Sequence, residues 1–192
     1  LKYNGFEYIT RTPKISFWRA MTDNDTGASE PYNLAQWYIA GKFAKYKTVS
    51  WLEHEDKLKI MFTYQASCIP TFEFTITYTA YFNGKLGICV SYPGVSNMPD
   101  MPILAIDFKM KKQLNNFQYY GMGSDENYID RCKGARLGLW KSTATENLSG
   151  YLNPQECGNR TGVRMLSVYD DMQNGLTFEK KSVPFEMSVL PY

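Results

Sequence analysis

The sequence predicts a mainly β fold of antiparallel strands, because it contains a strictly alternating apolar run and a recurring pair of turn residues. Residues 71–82, TFEFTITYTAYF, place apolar side chains at every second position and mostly threonine between them. This period of two is typical of a strand with one buried face. The residues that share the apolar face are Phe72, Phe74, Ile76, Tyr78, Ala80 and Phe82.

Asn-Gly pairs separate the predicted strands. Asn83–Gly84 directly follows the alternating run. Because both residue types tolerate positive φ, the pair predicts a type I′ hairpin turn. The same pair occurs at Asn4–Gly5 and at Asn174–Gly175, and residues 57–66 form another alternating run. We therefore expect several hairpins joined into antiparallel sheets.

Two helices are expected among the strands. Apolar residues recur at helical spacing in residues 33–46, NLAQWYIAGKFAKY, where Asn33 is placed to cap the N-terminus. A shorter helix is expected at residues 124–131, SDENYIDR, with Ser124 as its cap. Residues 114–162 otherwise read as irregular, and irregular segments on a β scaffold are where function tends to lie.

Composition excludes several function classes. The length of 192 residues predicts one domain, and a net charge of +2 is too small to attract nucleic acid or an anionic membrane. Neither a signal peptide nor a membrane-length apolar run is present. The four cysteines are widely spaced, which predicts reduced thiols in a cytoplasmic protein rather than a zinc or redox site. They are Cys68, Cys89, Cys132 and Cys157.

The acidic stretch that begins at Asp23 resembles the start of a calcium-binding loop but does not complete one. A calcium loop of that type needs glycine at its sixth position and glutamate at its twelfth. Here the glycine, Gly27, is fifth and the twelfth residue is Leu34. The sequence instead predicts an Asx-rich turn whose side chains bond their own backbone. No metal or cofactor is predicted.

Catalytic residues are not predicted in this chain. His54 is the only histidine and lies in a charged stretch, so a Ser-His-Asp mechanism has no suitable base. Glycosidase chemistry needs two converging carboxyl groups. The candidates are only neighbours in sequence, and none makes a convincing pair. They are Asp23 with Asp25, Asp125 with Glu126, and Asp170 with Asp171.

Three motifs carry a resemblance to a known family. Residues 17–27, FWRAMTDNDTG, resemble the segment that opens the last large domain of family 2 β-galactosidases, the region also found as the small subunit of heterodimeric bacterial enzymes. Residues 119–131, YYGMGSDENYIDR, and residues 149–164, SGYLNPQECGNRTGVR, resemble two further motifs of that family in the same order. Met21 departs from the pattern, because proline is usual there.

The resemblance implies both a fold and a role. The implied fold is a galactose-mutarotase-like super-sandwich of antiparallel sheets, with residues 1–192 as a single domain whose C-terminal part is missing. In this family the catalytic glutamates lie on a separate (β/α)₈ barrel. We therefore expect this chain to be inactive alone and to need a catalytic barrel domain or large subunit as its partner. The implied activity is retaining hydrolysis of terminal β-D-galactosides such as lactose.

The resemblance also assigns roles to individual residues. It implies that Asp23, Asn24 and Asp25 fix the base of a substrate-adjacent loop, that Gly27 is its hinge, and that residues 28–33 reach toward the sugar. The chain would then form one wall of the active site. A second group of residues is expected to hold irregular segments in place. That group is Trp18, Arg19, Glu126, Asn127, Asp130 and Arg131.

Two other functions remain open at this stage. A free-standing carbohydrate-binding or scaffolding module could share the same sandwich, because a fold alone does not fix a function. Such a module would bind sugar without a partner, whereas a wall domain would need one. A mutarotase-like enzyme acting alone is disfavoured by the lack of a usable histidine.

Overall fold

The computed structural model describes residues 1–153 and 155–191. The chain divides into two compact units, Leu1–Pro13 with Phe108–Tyr192 (unit 1) and Lys14–Asp107 (unit 2). Strands dominate both units, so the prediction of a mainly β protein with antiparallel sheets is confirmed, and the arrangement is consistent with a β-sandwich. The super-sandwich and the single-domain boundary stay predictions.

Fourteen strands and three short helices are found in the described residues. The strands are β1 (Lys2–Tyr3), β2 (Phe6–Glu7), β3 (Ile9–Ser16), β4 (Lys45–Glu53), β5 (Lys57–Gln65), β6 (Glu73–Tyr81), β7 (Leu86–Ser91), β8 (Ala105–Met110), β9 (Asn116–Gly123), β10 (Arg136–Thr143), β11 (Asn159–Val163), β12 (Met165–Tyr169), β13 (Gly175–Glu179) and β14 (Phe185–Ser188). The helices are α1 (Asp23–Gly27), α2 (Glu30–Asn33) and α3 (Ala35–Lys42).

Unit 2 is built on an antiparallel sheet with the strand order β4-β5-β6-β7. Its core forms where one end of β6 meets α3 and the end of β3. Phe17 is fully buried there, with its ring 5.6 Å from Trp37 and 5.5 Å from Phe74. The alternating pattern correctly placed Phe74 and Ile76 in the interior. Tight aromatic packing therefore holds the start of the acidic segment against the sheet.

Unit 1 contains a second antiparallel sheet, with the order β10-β9-β12-β13, and a separate β11-β14 pair. Alternate residues of β9 and β12 point into its core. Phe117 is fully buried, Tyr119 is 1 % exposed and Val168 is 3 % exposed. In the part of the chain that the structure describes, no helix has both the length and the apolar content needed to cross a bilayer.

The three Asn-Gly pairs adopt three different conformations. Asn4 and Gly5 both have positive φ, at 46° and 79°, as a type I′ turn requires. The type I′ prediction at Asn83–Gly84 is wrong, because only the glycine of that pair has positive φ. There the Gly84 amide donates to the Tyr81 carbonyl oxygen at 3.0 Å, which closes a longer loop.

The Asn174–Gly175 pair lies beside its turn rather than at the turn's centre. Gln173 takes the positive φ of 63°, and Gly175 is the first residue of β13. A Cβ atom on Gly175 would lie only 2.3 Å from the carbonyl oxygen of Val168. Glycine is required here because two backbones approach closely, not because of an unusual φ.

Both helix predictions need correction. Residues 33–46 contain α3 in their middle, but Asn33 ends α2 instead of capping α3, and the N-cap is Leu34 with no side-chain bond. Pro31 favours an earlier start, because proline fits the first turn of a helix. The helix expected at 124–131 is absent from those residues, where Tyr128 and Arg131 form an isolated bridge. The Asn127 amide instead donates to the Asn159 carbonyl oxygen at 3.0 Å.

Candidate functional site

The acidic segment in unit 2 begins from an anchored aromatic pair. Phe17 is buried in the core, and the ring of half-buried Trp18 packs edge-on against Tyr38 at 5.7 Å. The Ser16 hydroxyl donates to the Trp18 carbonyl oxygen at 2.7 Å, which fixes the backbone just before the acidic residues. The entry to the segment is therefore rigidly positioned by packing.

The predicted Asx-rich turn is a short helix, α1, with a complete capping box. The Asp25 amide donates to the Thr22 hydroxyl at 3.2 Å, and the Thr22 amide donates to the Asp25 carboxylate at 2.7 Å. These reciprocal bonds satisfy amides that would otherwise lack partners at a helix start. The side-chain bonds expected at the base of the loop are thus made by Asp25, whereas the side chains of Asp23 and Asn24 are exposed.

Arg19 forms a two-pronged ion pair with Asp25. Its guanidinium donates to the two carboxylate oxygens at 2.6 and 3.1 Å. Such a planar, bidentate geometry is the strongest that a carboxylate can make with a side chain. The Arg19 hydrogen bond, helped by the bonds from Thr22, outweighs burial and lowers the pKa of Asp25 to about 2. Asp25 is therefore ionised at neutral pH and held in place.

Gly27 is the last residue of α1 and does not have a positive φ. No heavy atom lies within 4 Å of the position that a Cβ atom would take. The left-handed conformation belongs instead to Ser29, with φ 63°, immediately before α2. The change of chain direction between the two short helices is therefore made at Ser29, and the hinge role of Gly27 stays a prediction.

Glu126 is the central acceptor of the irregular segment in unit 1. One carboxylate oxygen accepts hydrogen bonds from the Ser149 hydroxyl and the Gly158 amide, both at 2.8 Å. The other accepts from Arg131 at 3.1 Å and from the Tyr151 hydroxyl. Burial alone would raise the pKa of Glu126, but the bonds from Tyr151, Gly158 and Ser149, with the charge of Arg131, lower it. The ionised carboxylate thus ties together residues far apart in sequence.

Arg131 lies over two tyrosine rings beside that carboxylate. Its guanidinium carbon is 4.5 Å from the centre of the Tyr128 ring and 5.7 Å from that of Tyr151. The Arg131 side chain is 47 % exposed, so its ion pair with Glu126 is screened by water. Cation–π contact with the rings adds to its attachment. The neighbouring Asp130, predicted to be part of this group, is exposed.

Asn127 connects the second and third motifs. Its amide nitrogen donates to the carbonyl oxygens of Met122 and Asp125, each at 3.0 Å. Its amide oxygen accepts from the backbone and hydroxyl of Thr161, at 3.0 and 2.5 Å. The side chain is only 2 % exposed, so a buried amide has partners on both of its polar atoms. Asn159 returns the contact by donating to the Asn127 carbonyl oxygen at 3.1 Å.

The glycines of residues 119–131 have a steric cause. Trp140 lies across β9 and donates to the Gly121 carbonyl oxygen at 3.2 Å. A Cβ atom on Gly123 would lie 2.7 Å from the Trp140 ring and 2.3 Å from the Tyr119 hydroxyl. The Tyr119 hydroxyl in turn accepts from the Nε of Arg160, which is 6 % exposed. A side chain at Gly123 would displace that buried pair.

Several residues of this site were not singled out from the sequence. Each of them supplies a partner to Glu126, Asn127 or the buried tyrosine, and each lies inside one of the two later motifs. The motifs were therefore the signal that could have identified them. They are Tyr119, Ser149, Tyr151, Gly158, Asn159, Arg160 and Thr161.

The arrangement supports a structural role for these carboxylates. Glu126 and Asp25 are already occupied by donors, and Asp170 accepts from the backbone amides of Met172 and Asn174 within a turn. A general acid must instead be able to hold and release a proton. His54 is exposed. Across residues 1–153 and 155–191, no cluster of three or more His, Cys, Asp or Glu side chains could hold a metal ion.

Two open clefts lie away from these clusters. One, of about 300 Å³, is in unit 2 and is lined by residues 45 and 65–71. The other, of about 410 Å³, is in unit 1 and is lined by residues 113–116 and 170–172. The lining of neither cleft includes Asp25 or Glu126. The motif residues therefore support the fold and do not line these clefts.

Comparisons with known proteins agree with the motifs. A family model described as "Beta galactosidase small chain" matches residues 1–192. The chain is 36 % identical to a β-galactosidase of Streptococcus thermophilus over 98 % of this chain and 18 % of that protein. It is 45 % identical to one of Clostridium acetobutylicum over 74 % of this chain and 16 % of that protein.

A shorter relative is covered more fully. All of this chain matches a protein named β-galactosidase small subunit in Latilactobacillus sakei, at 28 % identity over 69 % of the subunit. By contrast, the chain spans less than a fifth of the Streptococcus thermophilus β-galactosidase. The match to the small subunit leaves about a third of that subunit without a counterpart in this chain.

The capping box predicts a pH-dependent stability effect. Asp25→Asn should lower the free energy of unfolding by about 1 kcal/mol at pH 7, because it removes the charge that accepts from Arg19 and Thr22. The folded pKa lies below the ordinary value of 3.8, so the carboxylate's contribution is complete above about pH 4 and lost as pH falls through about 2. Urea unfolding of both proteins should show the difference closing in that window. Asp23→Asn is the control, and an equal loss there would contradict the assignment.

The carboxylate of Glu126 predicts a second effect. Glu126→Gln should lower the free energy of unfolding by about 2 kcal/mol, because an NH₂ group then faces donors that need an acceptor. Hydrogen exchange at the Gly158 amide should become faster. Asp130→Asn, an exposed change in the same segment, should cost less than about 0.5 kcal/mol. Similar losses in the two variants would show that Glu126 is not the centre of the network.

Proposed function

The chain belongs to the β-galactosidase small-chain family, and we propose that it is a non-catalytic part of a retaining β-galactosidase. The observation that carries the proposal is the use of the motif carboxylates as fixed acceptors. Asp25 is paired with Arg19 and Glu126 receives four hydrogen bonds, so neither is arranged as an acid or a nucleophile. Retaining hydrolysis needs two carboxyl groups about 5–5.5 Å apart, one of which must be protonated.

The partner in this proposal is the catalytic barrel domain or large subunit of the same enzyme, and the substrate is a terminal β-D-galactoside such as lactose. The relatives named β-galactosidase are more than five times as long as the region they share with this chain, which leaves room for a separate catalytic part. The name of the Latilactobacillus sakei relative supports a division between subunits. The cytoplasm is the proposed location.

We further propose that the segment after α1 forms part of the active-site wall and moves when sugar binds. Its base is held by the capping box and the Arg19–Asp25 pair, while residues 24–29 are largely exposed. Tyr32, in α2, is 86 % exposed and offers an aromatic ring that could contact a sugar. A fixed base with a short exposed segment beyond it is the usual construction of a closing loop.

Hydrolysis of a chromogenic β-galactoside tests the main proposal. Activity should be absent from this chain alone and from the barrel-containing part alone, and should appear when the parts of the enzyme are combined. Activity from this chain alone would contradict the proposal and direct attention to the carboxylates at 23, 25, 125 and 126. Sugar binding by the isolated chain, without any gain in activity on mixing, would favour a free-standing carbohydrate-binding module.

The loop proposal predicts altered turnover for Gly27→Ala in the assembled enzyme. The added methyl group meets open space and the backbone φ is not positive, so the substitution restricts the backbone without a steric clash. Such a change stabilises one conformation by about 0.4–1 kcal/mol, which corresponds to a shift of about two- to fivefold in the open–closed balance. Steady-state kinetics would measure it. Gly134→Ala, also in open space, should leave kcat and KM unchanged. Unaltered kinetics for Gly27→Ala would remove the hinge.

A further inference from the structure

The β4-β5-β6-β7 sheet of unit 2 has one apolar face and one polar face. The strand registers place matching positions side by side, so each row across the sheet lies on a single face. Two neighbouring rows of the first face are apolar throughout, and the row between them on the opposite face is mixed. The apolar rows are Val49-Phe62-Ile76-Val90 and Trp51-Ile60-Tyr78-Ile88, and the row between them is Ser50-Met61-Thr77-Cys89.

Part of this apolar face is covered and part of it is open. Phe74 and Ile76 are 2 % and 3 % exposed where the unit 2 core covers the sheet. Toward β4 the coverage ends, and Trp51 is 71 % exposed and Val49 is 37 % exposed. Every residue of β4 is exposed, and within the described residues this strand forms one edge of the sheet.

The open area is large for a surface in permanent contact with water. At its exposure, Trp51 alone leaves on the order of 150 Å² of mostly apolar surface accessible. The adjoining side chains of Ile60, Phe62 and Tyr78 are half-buried and extend the same patch. Continuous apolar patches on soluble proteins generally mark contacts with other protein surfaces.

We propose that this apolar face, defined by Val49, Trp51, Ile60, Phe62 and Tyr78, binds the part of the small subunit that has no counterpart in residues 1–192. The inference rests on the proposed function. All of this chain matches the Latilactobacillus sakei small subunit, yet about a third of that subunit lies outside the match. A sheet with one apolar face needs a second layer to cover it, and this unmatched third is long enough to supply one.

The occupant should present its own apolar face to the sheet. Trp51 is the expected anchor, because a large aromatic side chain near the middle of a contact loses the most surface to water when it is released. Leu52 provides a matched control, since it neighbours Trp51 on β4, faces the opposite side of the sheet and is 55 % exposed. Met61 is a second control on that opposite face.

Hydroxyl-radical footprinting of Trp51 and Met61 tests the proposal. It would be applied to residues 1–192 alone, to the same chain after addition of the unmatched third of the Latilactobacillus sakei small subunit, and to a chimera that joins the two. Trp51 oxidation should fall about tenfold in either joined form while Met61 oxidation stays within about twofold, because water is excluded from one face only. Trp51→Lys should weaken binding of the added segment about tenfold or more, whereas Leu52→Lys should leave it unchanged.

Each other outcome overturns the proposal. Oxidation of Trp51 that stays high in both joined forms shows that the segment does not cover this face. Protection that appears only when the barrel-containing part is added assigns the face to the catalytic partner. Protection that rises with the concentration of residues 1–192 alone assigns it to a second copy of the chain. Activity on combining the enzyme's parts is measured separately, so the proposed function can hold while this inference fails.

Discussion

The buried carboxylate of Glu126 is the interaction on which the irregular half of unit 1 depends. Its hydrogen bonds reach a hydroxyl, a backbone amide, a guanidinium and a phenol that come from three different stretches of chain. An ionised carboxylate has only acceptor sites, so it can join donors that have no reason to contact one another directly. Without it, the stretch from residue 124 to residue 158 would have few fixed points, because its described residues form little regular structure apart from β10.

Asn127 complements Glu126 because an amide both donates and accepts. It accepts from Thr161 in β11 and donates to carbonyl oxygens at the end of β9 and in the segment that follows. The exchange fixes the backbone of residues 122–127 against β11, where a carboxylate would repel the carbonyl oxygens. Adjacent acidic and amide side chains in the second motif therefore have distinct tasks.

A similar construction recurs on a smaller scale in unit 2. There the Asp25 carboxylate caps α1 and pairs with Arg19, while Phe17 anchors the same stretch in the core. Both motifs thus combine an ionised acceptor with nearby aromatic packing. Their polar residues, which by composition could serve catalysis, are used to hold segments without regular structure. This assignment leaves the chemistry of a glycoside hydrolase to groups outside the described residues in the proposal made here.

Features that depend on neighbouring residues were determined by the sequence itself. The period of two placed Phe74 and Ile76 in the core, and Asn4–Gly5 specified its hairpin, because alternation and φ preference are local properties. The three motifs were also legible, and they contain the residues of both clusters. Tertiary structure decided what those residues do. Glu126 acquired its role from Ser149 and Gly158, and residues 124–131 remained non-helical because Asn127 bonds to Asn159, a partner that local periodicity cannot reveal.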